Sequence, residues 1–320
     1  SFGYRSFAFA GCTSLKTVHF PKSFGNLAPN TFGGQPNTSG ACTSLVSFTV
    51  EEGNPYFIAR DGILYRKDGK TLVLCPPGKS GVVTVPEGVT LIDEQAFQGC
   101  AFITEIKLPS TLTNTYEYAF ANCDGLTKVT LPKGFRSLGG YAFQYCRNLT
   151  EVVIPDSVTT IEARAFQDCI NLSSVTFGSG LETIDAQAFA GCSNLSSVTI
   201  PDSVITIGFD AFLGCENLTS VSLGQNVATL EHDVFADCPS LTSITVSPDN
   251  PHFVSLDGVL LDKAQTSILV YPSKLREANR SLIPAPLLSD EPPEESALDA
   301  VMAPEGTSIT ILPLELDGTV

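Results

Sequence analysis

Cysteine recurs at positions 100, 123, 146, 169, 192, 215 and 238, once every 23 residues. Few folds accept such a period. Aligned on the cysteines, apolar residues return three, six, eight, twelve, fifteen and twenty places later; in the unit of Cys146 they are Leu149, Val152, Ile154, Val158, Ile161 and Phe166. A unit this short cannot bury an apolar face by itself, so its copies must stack, each apolar position resting on its equivalents above and below. The register extends to Cys12, to Cys42 and to a unit at 77–99 with Pro77 in the cysteine place, which predicts about ten coils. The fold class expected is therefore a mostly β solenoid with one parallel strand per coil, plus short helical or 3-10 turns.

Local patterns fill in the coil. The stretch Leu149, Val152, Ile154 alternates as a half-buried strand does, and Pro155 ends it because proline cannot donate to a ladder. A second extended piece (Val158 to Ile161) follows, and the Ala165-Phe166 step predicts a tight turn that drops phenylalanine into the core. Phe9, Phe32, Phe97, Phe120, Phe143, Phe166, Phe189, Phe212 and Phe235 would then stack as a spine. Two units depart from the period in parallel. After Val50 and after Val246 the pairs Asn54/Asn250, Pro55/Pro251, Phe57/Phe253, Asp61/Asp257 and Gly62/Gly258 correspond. Two β-rich runs around a polar turn (Lys67–Lys70, or Asp262-Lys263) predict a hairpin insertion in each, over about 53–78 and 249–274. The solenoid is assigned to residues 1–275 and a tail or linker to 276–320. Leu282 to Pro304 holds five prolines and a cluster of acids, a composition that stays extended and solvated, while 307–316 reads as one strand. The chain opens in the middle of a unit and is expected to be a segment of a longer protein.

The recurring Asn-Leu-x-x-Val-x-Ile-Pro-x-Ser-Val-x-x-Ile-x-x-x-Ala-Phe-x-x-Cys unit, with the Asn-Pro-x-Phe-x-x-x-Asp-Gly-x-Leu insertion, resembles the BspA-type leucine-rich repeats. The likeness covers residues 1 to about 275 and is tightest over 100–250. It implies a surface-exposed or secreted protein of host-associated microbes that adheres to host matrix proteins, host cells or other microbes without catalysis. Departures are Thr115 in place of Ile or Leu, seven residues inserted between Phe32 and Cys42, and loss of the pattern after 275.

Charge and chemistry narrow the function further. Net charge is −16, and residues 284–320 carry eight acids with no Lys or Arg. Such a field repels a phosphate backbone, which excludes nucleic acid as the expected partner. Nine of the ten cysteines fall on the repeat register, so each faces equivalent neighbours on both sides and no pairing is specified. A reduced, buried ladder is expected, with Cys75 a lone, partly buried thiol in the first insertion. The three histidines (His19, His232, His252) sit at different registers, and no catalytic device, metal site or cofactor is expected from them. Sequons at Asn148, Asn171, Asn194 and Asn217 are by-products of the repeat, and these side chains are expected to bond the turn that enters each strand.

The exposed strand positions lie four, five and seven residues past each cysteine. Across nine units these give 27 positions, of which 19 are Ser or Thr. Threonine favours strands, so scaffold and ligand contact weigh evenly here. The candidate binding residues are the charged exceptions Lys16, His19, Glu105, Lys107, Lys128 and Glu151, together with Thr130, Ser174, Thr176, Ser197, Thr199, Ser220, Ser222, Ser243 and Thr245. The function expected is a monomeric, extracellular recognition or adhesion module for surface or matrix proteins or glycans, with no membrane insertion in this segment. A structural spacer holding another domain off the surface is the alternative, and an ice-binding Ser/Thr face a third.

Overall fold

The computed structural model describes residues 8–28, 31–32, 41–278, 301–302 and 308–309. It is the mostly β stacked solenoid that the period predicts. Each coil contributes one face strand, and ten of these form three separate parallel ladders. The first pairs Thr17–Phe20 with Ser47–Val50; the second runs through Ser80–Thr84, Phe102–Lys107, Lys128–Val129, Glu151–Val153 and Ser174–Thr176; the third joins Ser197–Thr199, Ser220–Leu223 and Ser243–Val246. A second wall is made of two-residue strands such as Thr160–Ile161 and Thr183–Ile184, stacked in register from Leu91–Ile92 to Thr229–Leu230.

The third wall is the Ala-Phe turn. Ala165 N–H donates to Glu162 and Cys169 N–H to Phe166, closing tight turns, while Phe166 N–H reaches across to Ala188 of the next coil. Turn bonds and inter-coil bonds alternate along this wall, so its backbone groups are satisfied without a helix. The residues at Cys−5 and Cys−1, such as Arg164 and Asp168, take positive φ to make this possible. The phenylalanines stack as expected from Phe97 to Phe235, with Phe166 lying 5.3 Å from Phe143 and 5.2 Å from Phe189, within 6° of parallel. Thr115 holds the Ile/Leu place in the back wall and is 1% exposed, its hydroxyl unpartnered.

The cysteines complete the core. All ten are free, and Cys12 alone is exposed. From Cys123 to Cys238 each thiol donates to the phenylalanine carbonyl of the coil before it: Cys146 to Phe120 at 3.1 Å, Cys169 to Phe143 at 3.1 Å, Cys192 to Phe166 at 3.2 Å. Serine at this position would bury a more strongly hydrated group and alanine would lose the donor, which accounts for the residue type. Cys75 differs from its expectation. It is 1% exposed, not partly buried, and packs in the main core beside Cys100, whose thiol points at the Cys75 and Pro76 carbonyls. Burial pushes the thiols of Cys123, Cys169, Cys192 and Cys215 up, and that of Cys238 to about 11. The folded thiols thus keep their protons above pH 9, where the unfolded chain has begun to lose them. This stabilisation is complete below pH 9 and is lost as pH rises through the folded values. The expected melting temperature is level through neutral pH and falls above pH 9, and native alkylation is expected to label Cys12 well before the other nine. Thermal melts across pH and peptide mapping after brief iodoacetamide treatment check both.

The insertions are built alike. Each contains the hairpin expected around its polar turn and adds a third strand, giving a meander of Phe57–Arg60, Ile63–Arg66 and Thr71–Leu74, and another of Phe253–Leu256, Val259–Asp262 and Ile268–Val270. The added turn is Asp61-Gly62, or Asp257-Gly258, with φ of 50° and 75°, or 50° and 85°. Two consecutive positive φ values make the tight turn that matches strand twist, which is why the pair is Asp-Gly. Glycine is also needed for space, since a Cβ on Gly62 would lie 2.8 Å from Ser47 Oγ. The first meander divides the core. Phe57, Leu64 and Val73 pack toward Phe32, Leu45 and Phe48, whereas Ile63, Tyr65, Leu72 and Cys75 pack toward the Phe97 coil. Apolar residues on both faces of one thin sheet explain the unbroken Ile63-Leu64-Tyr65 run.

Candidate functional site

The three exposed columns of the strand face have different chemistry. In the Cys+4 column the hydroxyls belong to the scaffold. Thr127 donates to the Thr104 carbonyl, Thr150 to Thr127, Ser173 to Thr150, Thr219 to Ser196 and Thr242 to Thr219, at 2.8–3.3 Å. The chain of bonds skips Ser196, where the strand ladder also breaks between Ser174–Thr176 and Ser197–Thr199. The coil just before the break carries Phe177 at Cys+8, in place of the usual Ile or Leu, with its ring edge-on to Phe189 at 5.7 Å.

Most side chains of the Cys+5 and Cys+7 columns stand clear of the backbone. Among the described residues Ser174, Thr176, Ser197, Thr199, Ser220, Ser222 and Ser243 make no side-chain hydrogen bond, and Thr245 bonds the Val221 carbonyl at 3.3 Å. Thr130 is exposed, and Ser220, Ser222 and Ser243 are half-buried. The charged exceptions converge only in part. Glu105, Lys128 and Glu151 are register partners on consecutive strands, an acid–base–acid row with Lys128 Nζ 2.8 Å from Glu151 Oε1. Both carboxylates raise the Lys128 pKa, Glu151 first through its hydrogen bond. The pair is solvated and contributes little to stability. Lys107 stands two residues along from Glu105, in register with Thr84. Lys16 and His19 lie apart beyond the meander, Lys16 just before the first ladder and His19 on it, where His19 Nδ1 meets Thr49 Oγ1 at 2.9 Å.

Two residues of this face escaped the charge-based reading. Val82 at Cys+5 pairs with Glu105 and is 54% exposed; Val153 at Cys+7 is 57% exposed beside Glu151. Their signal was an apolar residue in a column otherwise polar. The central face is therefore a small mixed patch in which Val82, Glu105, Lys107, Lys128, Glu151 and Val153 sit on four adjacent strands, flanked by free hydroxyls.

The remaining ladders are structural. Asn148 and Asn171 donate to the carbonyls of Asp124 and Arg147 at 2.8 Å, and Asn194 and Asn217 donate to the asparagine one coil back. On the turn wall, Tyr118 stacks on Tyr141 at 4.4 Å, Arg164 lies over Tyr141 and donates to Gln187, and Gln187 donates to Asp210. This column ends at Asp210, His232 and Asp233, whose ligand atoms lie within 4.8 Å of one another. The repeat register brings them together: Asp210 and Asp233 are the same position on successive coils, and His232, next to Asp233, stacks on its own register partner Phe209.

No helix among the described residues is long and apolar enough to cross a membrane. Among solved structures, a leucine-rich repeat protein from Eubacterium ventriosum is 25% identical with a TM-score of 0.56, over 74% of this chain and 58% of that one. This chain thus spans little more than half of that relative. The Treponema pallidum leucine-rich repeat protein is 28% identical over 54% of this chain and 72% of its own, with a TM-score of 0.39. A leucine-rich cell surface protein from Faecalibacterium prausnitzii is 22% identical over 73% of this chain and 79% of its own, with a TM-score of 0.35. No curated protein matches the sequence. The BspA type leucine-rich repeat region, in contrast, matches in six copies over residues 4–52, 80–195 and 136–255. The stacked coils, the cysteine ladder and this match agree, and the chain belongs to the BspA-type leucine-rich-repeat family.

Proposed function

We propose that the chain is a non-catalytic recognition or adhesion module that works outside the cell as a monomer and binds a surface protein or glycan through its strand face. The observation that carries this reading is the division of labour between columns. Most Cys+4 hydroxyls bond the carbonyl of the preceding coil, while the Cys+5 and Cys+7 hydroxyls of Ser174, Thr176, Ser197, Thr199, Ser220, Ser222 and Ser243 make no bond to the frame, and exposed positions on a rigid frame are where function concentrates on repeat proteins. The patch around Lys128 supplies what a uniform hydroxyl array lacks: charges of both signs and two exposed valines in fixed spacing. Exposed charges at an interface mainly govern association rate and partner choice. On this reading the solenoid spans residues 1–275, with the insertions over about 53–78 and 249–274, and 276–320 is a Pro- and acid-rich tail.

The test is charge reversal at Glu105, Lys107, Lys128 and Glu151, assayed by pull-down from host extracellular matrix and by glycan array. Retained binding is expected to fall about tenfold or more for the combined variant, an effect of about 1.4 kcal/mol, with an unchanged melting temperature. Absence of binding by the wild-type chain in both assays would leave the adhesion reading without support and return the spacer reading to first place.

A further inference from the structure

The turn wall ends in a group of side chains that recognition through the strand face does not use. Asp210 and Asp233 stand five residues before Cys215 and Cys238, with φ of 55° and 57°, so the same backbone conformation recurs one coil apart. Asp210 N–H donates to the His232 carbonyl at 3.2 Å, which fixes the spacing of the two coils at this point. His232 Nδ1 in turn lies 3.2 Å from Asp233 Oδ2. One donor atom from each of the three residues lies within 4.8 Å of the other two. The histidines of this chain share no register, and His232 gains its partners from aspartates that do.

Neighbours outside the trio hold it in place. The His232 ring stacks on Phe209 at 5.4 Å, within 13° of parallel, which fixes its orientation. Gln187, one coil earlier, donates to Asp210 Oδ2 at 3.0 Å and is itself held by Arg164. Such outer contacts orient the side chains of a metal site before the ion arrives. Among the described residues no Lys or Arg pairs with either aspartate. Two adjacent carboxylates on a chain of net charge −16 therefore lack the full cation that would offset their repulsion. Acids adjoin elsewhere on this wall, as Glu162 and Asp185 do, but without an imidazole.

We propose that Asp210, His232 and Asp233 form a binding site for a divalent transition-metal ion of the zinc type. An imidazole nitrogen with two carboxylates suits Zn²⁺, whereas Ca²⁺ takes six to eight oxygens. Zinc donors lie about 2.0–2.2 Å from the metal and so about 3.4 Å apart in a tetrahedron. His232 and Asp233 already stand near that spacing at 3.2 Å. Asp210 has to close by no more than about 1.5 Å, a side-chain rotation for a half-buried carboxylate. Three protein donors leave the fourth position to water or to a side chain of a partner. The bound ion would tie together the coils of Cys215 and Cys238, where the phenylalanine spine ends in the pair Phe212 and Phe235. The site lies on the turn wall, goes beyond the recognition reading and does not depend on it.

Calorimetric titration of the full chain with Zn²⁺, together with NMR of the histidine rings, tests the proposal. Both use a Cys12→Ser parent, which removes the exposed thiol as a competing ligand. The parent is expected to bind one ion, with the ring signals of His232 displaced and those of His19 and His252 unmoved. His232→Ala and Asp210→Asn are each expected to weaken binding about tenfold or more, and Gln187→Ala, which removes only the group that orients Asp210, by less. Glu182→Gln, at an exposed acid beside the back wall, is expected to leave the affinity unchanged. Zn²⁺ is expected to raise the melting temperature of the parent but not of His232→Ala, and the two should melt together without metal, which shows that the variant folds. Zn²⁺ bound no more tightly by the parent than by His232→Ala overturns the proposal, since the ion then sits on cysteines or scattered acids. So does equal displacement of all three histidines, or Ca²⁺ bound as tightly as Zn²⁺.

Discussion

Replacing Asn250 by alanine is expected to lower the unfolding free energy by about 3–5 kcal/mol. Asn250 is 0% exposed and makes four hydrogen bonds: Nδ2 donates to the carbonyls of Gly224 and Val227 at 3.0 Å, and Oδ1 accepts from His252 and Phe253 N–H at 2.8 Å. Alanine leaves the Gly224 and Val227 carbonyls and the Phe253 N–H buried without that partner, and the cost of each orphan exceeds the net worth of the bond it lost. Asn250→Asp separates shape from chemistry. The carboxylate keeps the two accepted bonds but can donate none, and it places a charge beside two carbonyls, so it should be at least as damaging at neutral pH. Asn54 repeats the arrangement with Pro21, Phe24, Tyr56 and Phe57, at 2.8–2.9 Å. Urea denaturation followed by circular dichroism reads the loss; a change below about 1 kcal/mol in both alanine variants would show that the asparagines do not clamp the meanders to the stack.

The second large effect is expected at Phe166→Ala, a loss of about 3–5 kcal/mol. The ring is 0% exposed and lies between two parallel neighbours, so its removal leaves a cavity lined on both sides by aromatic faces that the backbone ladders hold apart. Phe235 tests the reasoning. It is 6% exposed and stacks on Phe212 alone, at 5.6 Å, so Phe235→Ala should cost about half as much. Stability in a stacked array is close to a sum of neighbour interfaces, so a defect at the centre should also uncouple the two halves. The urea m-value is then expected to drop for Phe166→Ala and to hold for Phe235→Ala. Equal losses and equal slopes at the two sites would argue that the spine contributes ring by ring, with no cooperativity between coils.

The predictions on the binding face rest on weaker energies but on sharper placement. Glu105, Lys128 and Glu151 were recognisable as charged exceptions in a Ser/Thr column, and register pairing brings them into one row. Lys16 and His19 are equivalent to them by repeat position, yet lie at another ladder, because the meander that follows Val50 interrupts the sheet. Val82 and Val153 are not distinguishable in the sequence from core valines, since only the fold shows that these side chains point outward. The Asp257-Gly258 turn was legible as a hairpin signal, but the more polar Asp262-Lys263 stretch competed for the same role.

What the linear sequence determined by itself was everything that recurs. Six apolar registers, the phenylalanine spine, the cysteine column and the number of coils follow from the 23-residue period, because a repeat can bury its apolar positions only against its own copies. The duplicated Asn-Pro and Asp-Gly insertions were visible for the same reason. The tertiary structure alone decided which hydroxyls are spent on the neighbouring backbone, where the face splits into three ladders, and how Cys75 joins the core. These depend on the distance and direction between coils. A period specifies that position i meets i+23; it does not state whether two side chains reach each other, a carbonyl, or water.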